Sequence, residues 1–213
     1  PPYPSRRFSN GPVWAEYLAG PLNTFFPVGA INNAANVDFA FGGARADAAV
    51  ANPPGLPQQI GAYALRGGAF GANNLATVWA GANDIFQALP AAGANPATAQ
   101  TVMGGVAATA AGAVVTATGQ VSSLGARQIM VMNLPDIGAA PAFNTSPASS
   151  LASYSASTFN SALASGPATE GTRPSATVPV GRPERSRASA ASASAWTSSV
   201  RTEPMVASPS ADS

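Results

Sequence analysis

The sequence contains no cysteine, no histidine and no lysine among its 213 residues. Without cysteine, the chain can form no disulfide, no zinc–cysteine site and no thiol nucleophile. Without histidine it has no imidazole base, so it cannot by itself hold a complete Ser-His-Asp triad. Charge is also scarce: ten arginines and nine acidic residues give a net charge of +1, and the arginines form no basic stripe. Nucleic acid is therefore not an expected partner.

Membrane, export and metal signals are equally sparse. Gly, Asn and Pro interrupt the longest apolar stretches before they reach the roughly 20 residues of a membrane span, so we expect no transmembrane segment. No basic segment followed by an apolar one opens the sequence, so a secretion signal is not expected within it. The carboxylates Asp38, Asp47 and Asp136 form no evident pair. No cluster has metal-ligand spacing, and no metal or cofactor is expected.

The composition changes sharply near residue 163. Residues 1–163 contain 44 large apolar side chains, whereas residues 164–213 contain six, together with half of the arginines. Such a segment buries too little apolar surface to offset its chain entropy. The sequence therefore predicts one domain over residues 1–163 and a disordered Ser/Ala/Pro/Arg-rich tail over residues 164–213. The tail has two open interpretations, a natural extension or the product of a shifted reading frame.

Residues 1–163 alternate between short apolar runs and segments with helical spacing. Helices are predicted over residues 13–18, 56–65, from 85 onward, 96–123 and 147–163; strands are predicted over residues 37–41, 75–80 and 128–132. Asn95 is the expected N-cap of the long helix, with Pro96 at its first position. The Pro- and Asn-rich residues 20–35 are expected to form a loop. Strands that are apolar on both faces and separated by helices predict an α/β fold, a doubly wound parallel sheet with helices on both faces.

In such sheets ligands bind at the carboxyl ends of the strands. Gly42 follows the first predicted strand and Asn83 follows the second. Each has an ordinary structural explanation, a strand exit for the glycine and a helix cap for the Asn83-Asp84 pair. The functional hypothesis is an oxyanion hole, in which the main chain at Gly42 and the side-chain amide of Asn83 donate to one oxygen. Asp84 would then fix the turn through hydrogen bonds to the backbone.

Four segments in order resemble the GDSL lipase/esterase family, also called SGNH hydrolases. They are residues 9–18 (SNGPVWAEYL), 39–44 (FAFGGA), 78–85 (VWAGANDI) and 131–138 (VMNLPDIG). The likeness is strongest to bacterial secreted phospholipases and autotransporter esterases, and it covers roughly residues 2–163. It implies hydrolysis of carboxylic esters through a serine acyl-enzyme. It also implies an oxyanion hole at Gly42, with Gly43 as the adjacent choice, and at Asn83.

Two blocks of the family pattern have no counterpart in this sequence. The Gly-Asp-Ser-Leu block that carries the nucleophile is expected upstream of Pro1, and no Asp-x-x-His pair occurs. The chain is therefore expected to be inactive as it stands, although it keeps the oxyanion elements. The alternative is a non-catalytic secreted binding or surface module on the same scaffold. The resemblance implies a small-molecule or lipid ester as the substrate, and a secreted or cell-surface location.

Overall fold

The computed structural model describes residues 11–19, 23–24, 36–48 and 52–166. Five α-helices, four strands and one short 3-10 helix lie in these ranges. The helices are α1 (Trp14–Ala19), α2 (Leu56–Leu65), α3 (Ala82–Gly93), α4 (Pro96–Ser123) and α5 (Ser149–Ala164), and the 3-10 helix is Ile137–Ala139. The strands are β1 (Asn23–Thr24), β2 (Val37–Asp38), β3 (Leu75–Val78) and β4 (Gln128–Val131). The predicted tail beyond residue 166 lies outside the described residues.

The strands pair in parallel, as the sequence predicts. β1 pairs with β2, with Asn23 opposite Val37, and β3 pairs with β4, with Leu75 opposite Gln128. Within the described residues these are two separate two-stranded sheets. The α/β class is therefore confirmed, whereas the doubly wound arrangement with helices on both faces stays a prediction.

Helix α4 supplies the largest part of the core. Its buried side chains recur at intervals of three and four residues, the spacing of one helix face. They are Ala99, Met103, Ala107, Ala110, Ala111, Val114, Ala117, Thr118 and Val121. Most of them are alanines, so neighbouring elements approach this face closely. The helix packs against α2, α3, α5 and the β3–β4 sheet.

The same helix bears on the membrane prediction. Over its best window of 18 residues α4 has a mean hydropathy of 1.4, and none of its 28 residues is charged. By length and composition it could cross a membrane, so the expectation that no segment reaches this length is wrong. Core helices of water-soluble proteins meet the same criterion, and α4 packs on its neighbours along one face. The helix is therefore weak evidence for a membrane.

Several predicted boundaries need correction. The strand predicted over residues 37–41 ends at Asp38, because the Asp38 carboxylate accepts the Ala40 N–H at 2.8 Å and such local bonds compete with a strand ladder. The predicted loop over residues 20–35 contains β1. Asn95 occupies the N-cap position of α4, but its side chain makes no capping bond.

Candidate functional site

The segments that follow β2 and β3 are joined by two buried side chains at the start of α3. The Asn83 Nδ2 atom donates to the Ala44 carbonyl at 2.8 Å. The Asp84 carboxylate accepts the Ala46 N–H at 2.9 Å. Two adjacent residues in the first turn of α3 therefore bind Ala44 and Ala46, which lie almost forty positions earlier in the chain. These two bonds hold the loop after β2 against the N-terminus of α3.

Gly81 makes this approach possible. Its φ of +112° lies in the region that side chains disfavour, and it turns the chain from β3 directly into α3. A Cβ atom at this position would also overlap the buried ring of Phe159. Because the turn is so tight, α3 begins at Ala82 rather than near Ile85, where the sequence predicts it. Asn83 and Asp84 thus lie in the first helical turn.

The other predicted site residue, Gly42, lies in a tight turn. The Ala44 N–H donates to the Phe41 carbonyl at 3.2 Å, which closes a four-residue turn around Gly42 and Gly43. Gly43 has a φ of +81°, the value that a type II turn requires at its third position. The structure therefore brings Gly42 and Asn83 to one place, since Asn83 binds Ala44 in the same turn. Their role as oxyanion donors stays a prediction.

The electrostatics of this junction are set by burial and by one cation. Asp84 is 4% exposed, and burial raises the pKa of its carboxyl above the usual range, while the Ala46 N–H and Arg45 lower it. The Arg45 Nε atom lies 3.4 Å from Asp84, and its Nη2 atom lies 2.6 Å from Asp47. The guanidinium thus links a buried carboxylate to a partly exposed one.

The α2 helix fixes the far side of the same loop. The Leu56 N–H donates to the Arg45 carbonyl at 3.0 Å. Gly55, just before it, leaves no room for a side chain, because a Cβ would overlap the Asp47 carbonyl. The loop over residues 44–47 is therefore bound both by α3 and by the start of α2. This rigidity is what a preorganised donor site needs.

Comparison with known proteins identifies the family of this chain. The sequence model of the family described as GDSL-like Lipase/Acylhydrolase matches residues 2–181. The chain belongs to this family. No curated protein and no solved structure matches the chain. The family match confirms the resemblance found in the sequence and extends past the predicted boundary at residue 163, which stays a prediction.

In this GDSL family chain, α5 holds the segment that follows β4 in place. The Asn160 side chain forms two bonds of 2.8 Å with the backbone of Leu134, one to its N–H and one to its carbonyl. Asp136 accepts the Gly138 N–H at 3.0 Å and the Ser153 hydroxyl at 2.5 Å. Asp136 is therefore occupied with structural bonds.

Three residues that hold the segments after β2 and β4 in place were not predicted from the sequence. Arg45 and Asp47 lie just beyond the FAFGGA segment, and their spacing of two carries no helical or strand signal. Asn160 lies in an otherwise ordinary amphipathic helix. Nothing in the local pattern distinguishes these side chains, because each acts on a partner distant in sequence. Among the described residues, no group of acidic side chains is arranged to hold a metal ion.

Asp38, at the end of β2, is the other carboxyl in this region with a shifted pKa. Burial raises the pKa of Asp38 to about 6; the Ala40 N–H opposes this shift, and the nearby Glu16 carboxylate adds to it. An unfolded aspartate has a pKa of about 3.9. Between these two values the folded protein binds a proton that the unfolded chain releases. Stability from this group is therefore present at about pH 4 and is lost as the pH rises through about 6.

We expect Asp38→Asn to stabilise the protein more at about pH 7.5 than at about pH 4. An asparagine keeps an acceptor for the Ala40 N–H and removes the charge that burial disfavours, a difference of up to about 3 kcal/mol between the two pH values. Urea unfolding of both proteins at both pH values measures it. A stability difference that does not change with pH would contradict the prediction.

Proposed function

We propose that this chain carries part of the site of an ester hydrolase of the GDSL-like lipase/acylhydrolase family, and that the described residues supply the oxyanion-binding half of that site. The observation that carries the proposal is the 2.8 Å bond from the Asn83 amide to Ala44, which holds that amide at the turn containing Gly42. In the reaction, an ester carbonyl oxygen gains negative charge as a nucleophile attacks. The Asn83 amide and the main-chain N–H of Gly42, or of the adjacent Gly43, would donate to that oxygen.

A neutral amide suits this task for an electrostatic reason. It stabilises a developing oxyanion without carrying a charge of its own, and burial would penalise such a charge. The loop is fixed before substrate arrives, by the Ala46–Asp84 and Leu56–Arg45 bonds. Donors that need no rearrangement are worth roughly 2.7–4 kcal/mol each in known oxyanion holes. The substrate class that follows is a small-molecule or lipid carboxylic ester.

The chemistry of attack needs a nucleophile and a base in addition to these donors. A serine acyl-enzyme route requires a group that takes the serine proton, and the 213 residues contain no histidine for it. We therefore propose that this chain alone binds esters without turning them over. The same proposal includes a doubly wound sheet, which this chain would form incompletely. It also includes a secreted or cell-surface location.

Binding of an ester analogue tests the oxyanion assignment without requiring catalysis. Methyl butyl ketone offers a carbonyl oxygen and resists hydrolysis. We expect Asn83→Ala to weaken its binding about threefold to tenfold, the value of one hydrogen bond, as measured by NMR titration of the full chain.

Asn74→Ala is the matched control. Asn74 is also a buried asparagine that fixes a loop, through the Gly71 N–H, but it precedes β3 rather than following it. We expect its substitution to leave ketone binding unchanged. Equal binding by the wild-type and Asn83→Ala proteins would reject the oxyanion role and favour the non-catalytic binding module.

A further inference from the structure

A polar groove lies between the segment that follows β4 and one face of α5. Residues 133–136 form one wall. The α5 residues of the other wall recur at intervals of three and four, the spacing of one helix face; they are Ser153, Ala156, Ser157, Asn160, Ser161 and Ala164. The volume of about 580 Å³ lies within the usual range for small-molecule sites. Neither Asn83 nor Gly42 is among the described residues that line this groove.

Asp136 brings a carboxylate with one uncommitted oxygen to the groove. Its two hydrogen bonds, from the Gly138 N–H and the Ser153 hydroxyl, both end on Oδ1. Within the described part of the chain, Oδ2 accepts no hydrogen bond and no arginine pairs with this carboxylate. The bonds to Oδ1 hold the carboxylate in place, and a ligand would not have to displace them to reach Oδ2.

Three further polar side chains of the groove are uncommitted. The Asn133 amide and the hydroxyls of Ser157 and Ser161 form no hydrogen bond with the residues that the structure describes. Asn160 differs from them, because its amide binds the backbone of Leu134 through both of its polar atoms. Each of the three uncommitted groups has an oxygen that can accept a hydrogen bond. Together with Asp136, the groove therefore offers four acceptors.

The charges at this groove have one sign. Of the described residues that line it, only Asp136 is charged. The last turn of α5, which contributes Ser161 and Ala164, carries the partial negative charge of a helix C-terminus and contains no basic residue. A cation in the groove would be attracted by both features, and an anion would be repelled by both. A neutral ligand would gain hydrogen bonds without this attraction.

We propose that the groove binds the primary ammonium group of a small organic cation, with Asp136 as the counter-ion. An ammonium group has three donors that rotate freely, and they suit acceptors spread over two walls. A guanidinium group prefers both oxygens of one carboxylate, and Oδ1 of Asp136 already accepts two bonds. This site goes beyond the proposed ester chemistry, because it needs neither Asn83 nor a nucleophile.

NMR titration of the full chain with butylammonium tests the site. Asp136→Asn removes the charge and keeps an oxygen for the Gly138 N–H and the Ser153 hydroxyl. We expect this variant to bind butylammonium about threefold to fivefold more weakly, the value of a partly exposed ion pair. Butan-1-ol, which has the same chain without the charge, should bind both proteins equally weakly. Equal affinity of the two proteins for butylammonium would overturn the proposal, as would equal affinity of the wild type for butylammonium and butan-1-ol.

Glu16→Gln is the matched control for Asp136→Asn. Glu16 also accepts a backbone N–H, that of Val13, and its substitution removes the same charge. It is not among the described residues that line the groove, so butylammonium binding should not change. Equal losses in the two variants would show a response to net charge alone and would overturn the proposal. Asn83→Ala should bind butylammonium as the wild type does, so this test is independent of the oxyanion role.

A lysine placed in the groove should compete with the ligand. Ser157 is exposed and lies one turn beyond Ser153, whose hydroxyl binds Asp136, so the side chain of Ser157→Lys can reach this carboxylate. We expect the affinity for butylammonium to fall at least threefold. Thr109→Lys adds the same charge at an exposed position of α4 and should have little effect. Unchanged binding by Ser157→Lys would place the ammonium group outside this groove.

Discussion

Substitution of Gly81 by alanine is expected to lower the free energy of unfolding by about 2–5 kcal/mol. Two independent costs combine. Alanine at a φ of +112° adopts a conformation that costs side-chain-bearing residues roughly 1–2 kcal/mol. Its methyl group would overlap the Phe159 ring, which is fully buried, and overpacking of a core costs about 1–3 kcal/mol. Because Gly81 directs the chain into α3, ketone binding at Asn83 should weaken as well. Urea unfolding with circular dichroism measures the first effect.

Gly112→Ala is the matched control for Gly81. Gly112 lies in the interior of α4, where a Cβ meets nothing within 4 Å, so alanine should stabilise the protein by roughly 0.5–1 kcal/mol. The opposite signs expected for two glycine-to-alanine changes isolate the effect of the turn. Adding Phe159→Leu to Gly81→Ala should restore only the part of the unfolding free energy that is lost to the overlap with the ring. A double-mutant cycle measures this coupling between the two positions. Unchanged stability in Gly81→Ala would show that the turn relaxes at little cost.

The long helix and the strand pairing were predictable because their signals are local. Pro96 marks the first turn of α4, and the alanine-rich stretch predicts its end at Ser123, as observed. The nearly continuous apolar run over residues 128–132 predicts a strand, and the helices between β3 and β4 predict parallel pairing; the structure has both. Such features depend on residues within a few positions of one another. They are therefore visible without knowledge of the tertiary structure.

The residues of the candidate site were predictable from the sequence, but the contacts that join them were not. The GANDI and FAFGGA segments indicated Asn83 and Gly42, and the structure brings Asn83 to the turn that contains Gly42. Their actual connection is through Ala44, 39 residues from Asn83. Neither a period nor a spacing encodes a contact between the backbone of one loop and the first turn of a distant helix. For the same reason the Arg45 bridge between Asp84 and Asp47 was not anticipated.

Asp84→Ala is expected to destabilise the protein by about 3 kcal/mol. The change leaves the Ala46 N–H without its acceptor, which costs about 1–3 kcal/mol for a buried group. It also removes one partner of Arg45. Arg45 keeps Asp47 at 2.6 Å and is about one quarter exposed, so this loss adds little, and the unpaired Ala46 N–H accounts for most of the expected cost. Urea unfolding measures the total.

Asp84→Asn separates the hydrogen bond from the charge. Asparagine retains an oxygen for the Ala46 N–H, so the loop over residues 44–47 stays attached to α3. The pKa of Asp84 is raised because burial outweighs the opposing effects of Ala46 and Arg45, which means that the fold disfavours the charge at this position. We therefore expect this variant to lose about 1 kcal/mol or less and to bind ketones normally. An asparagine variant as unstable as the alanine one would show that the ion pair with Arg45, and not the bond to Ala46, holds the loop in place.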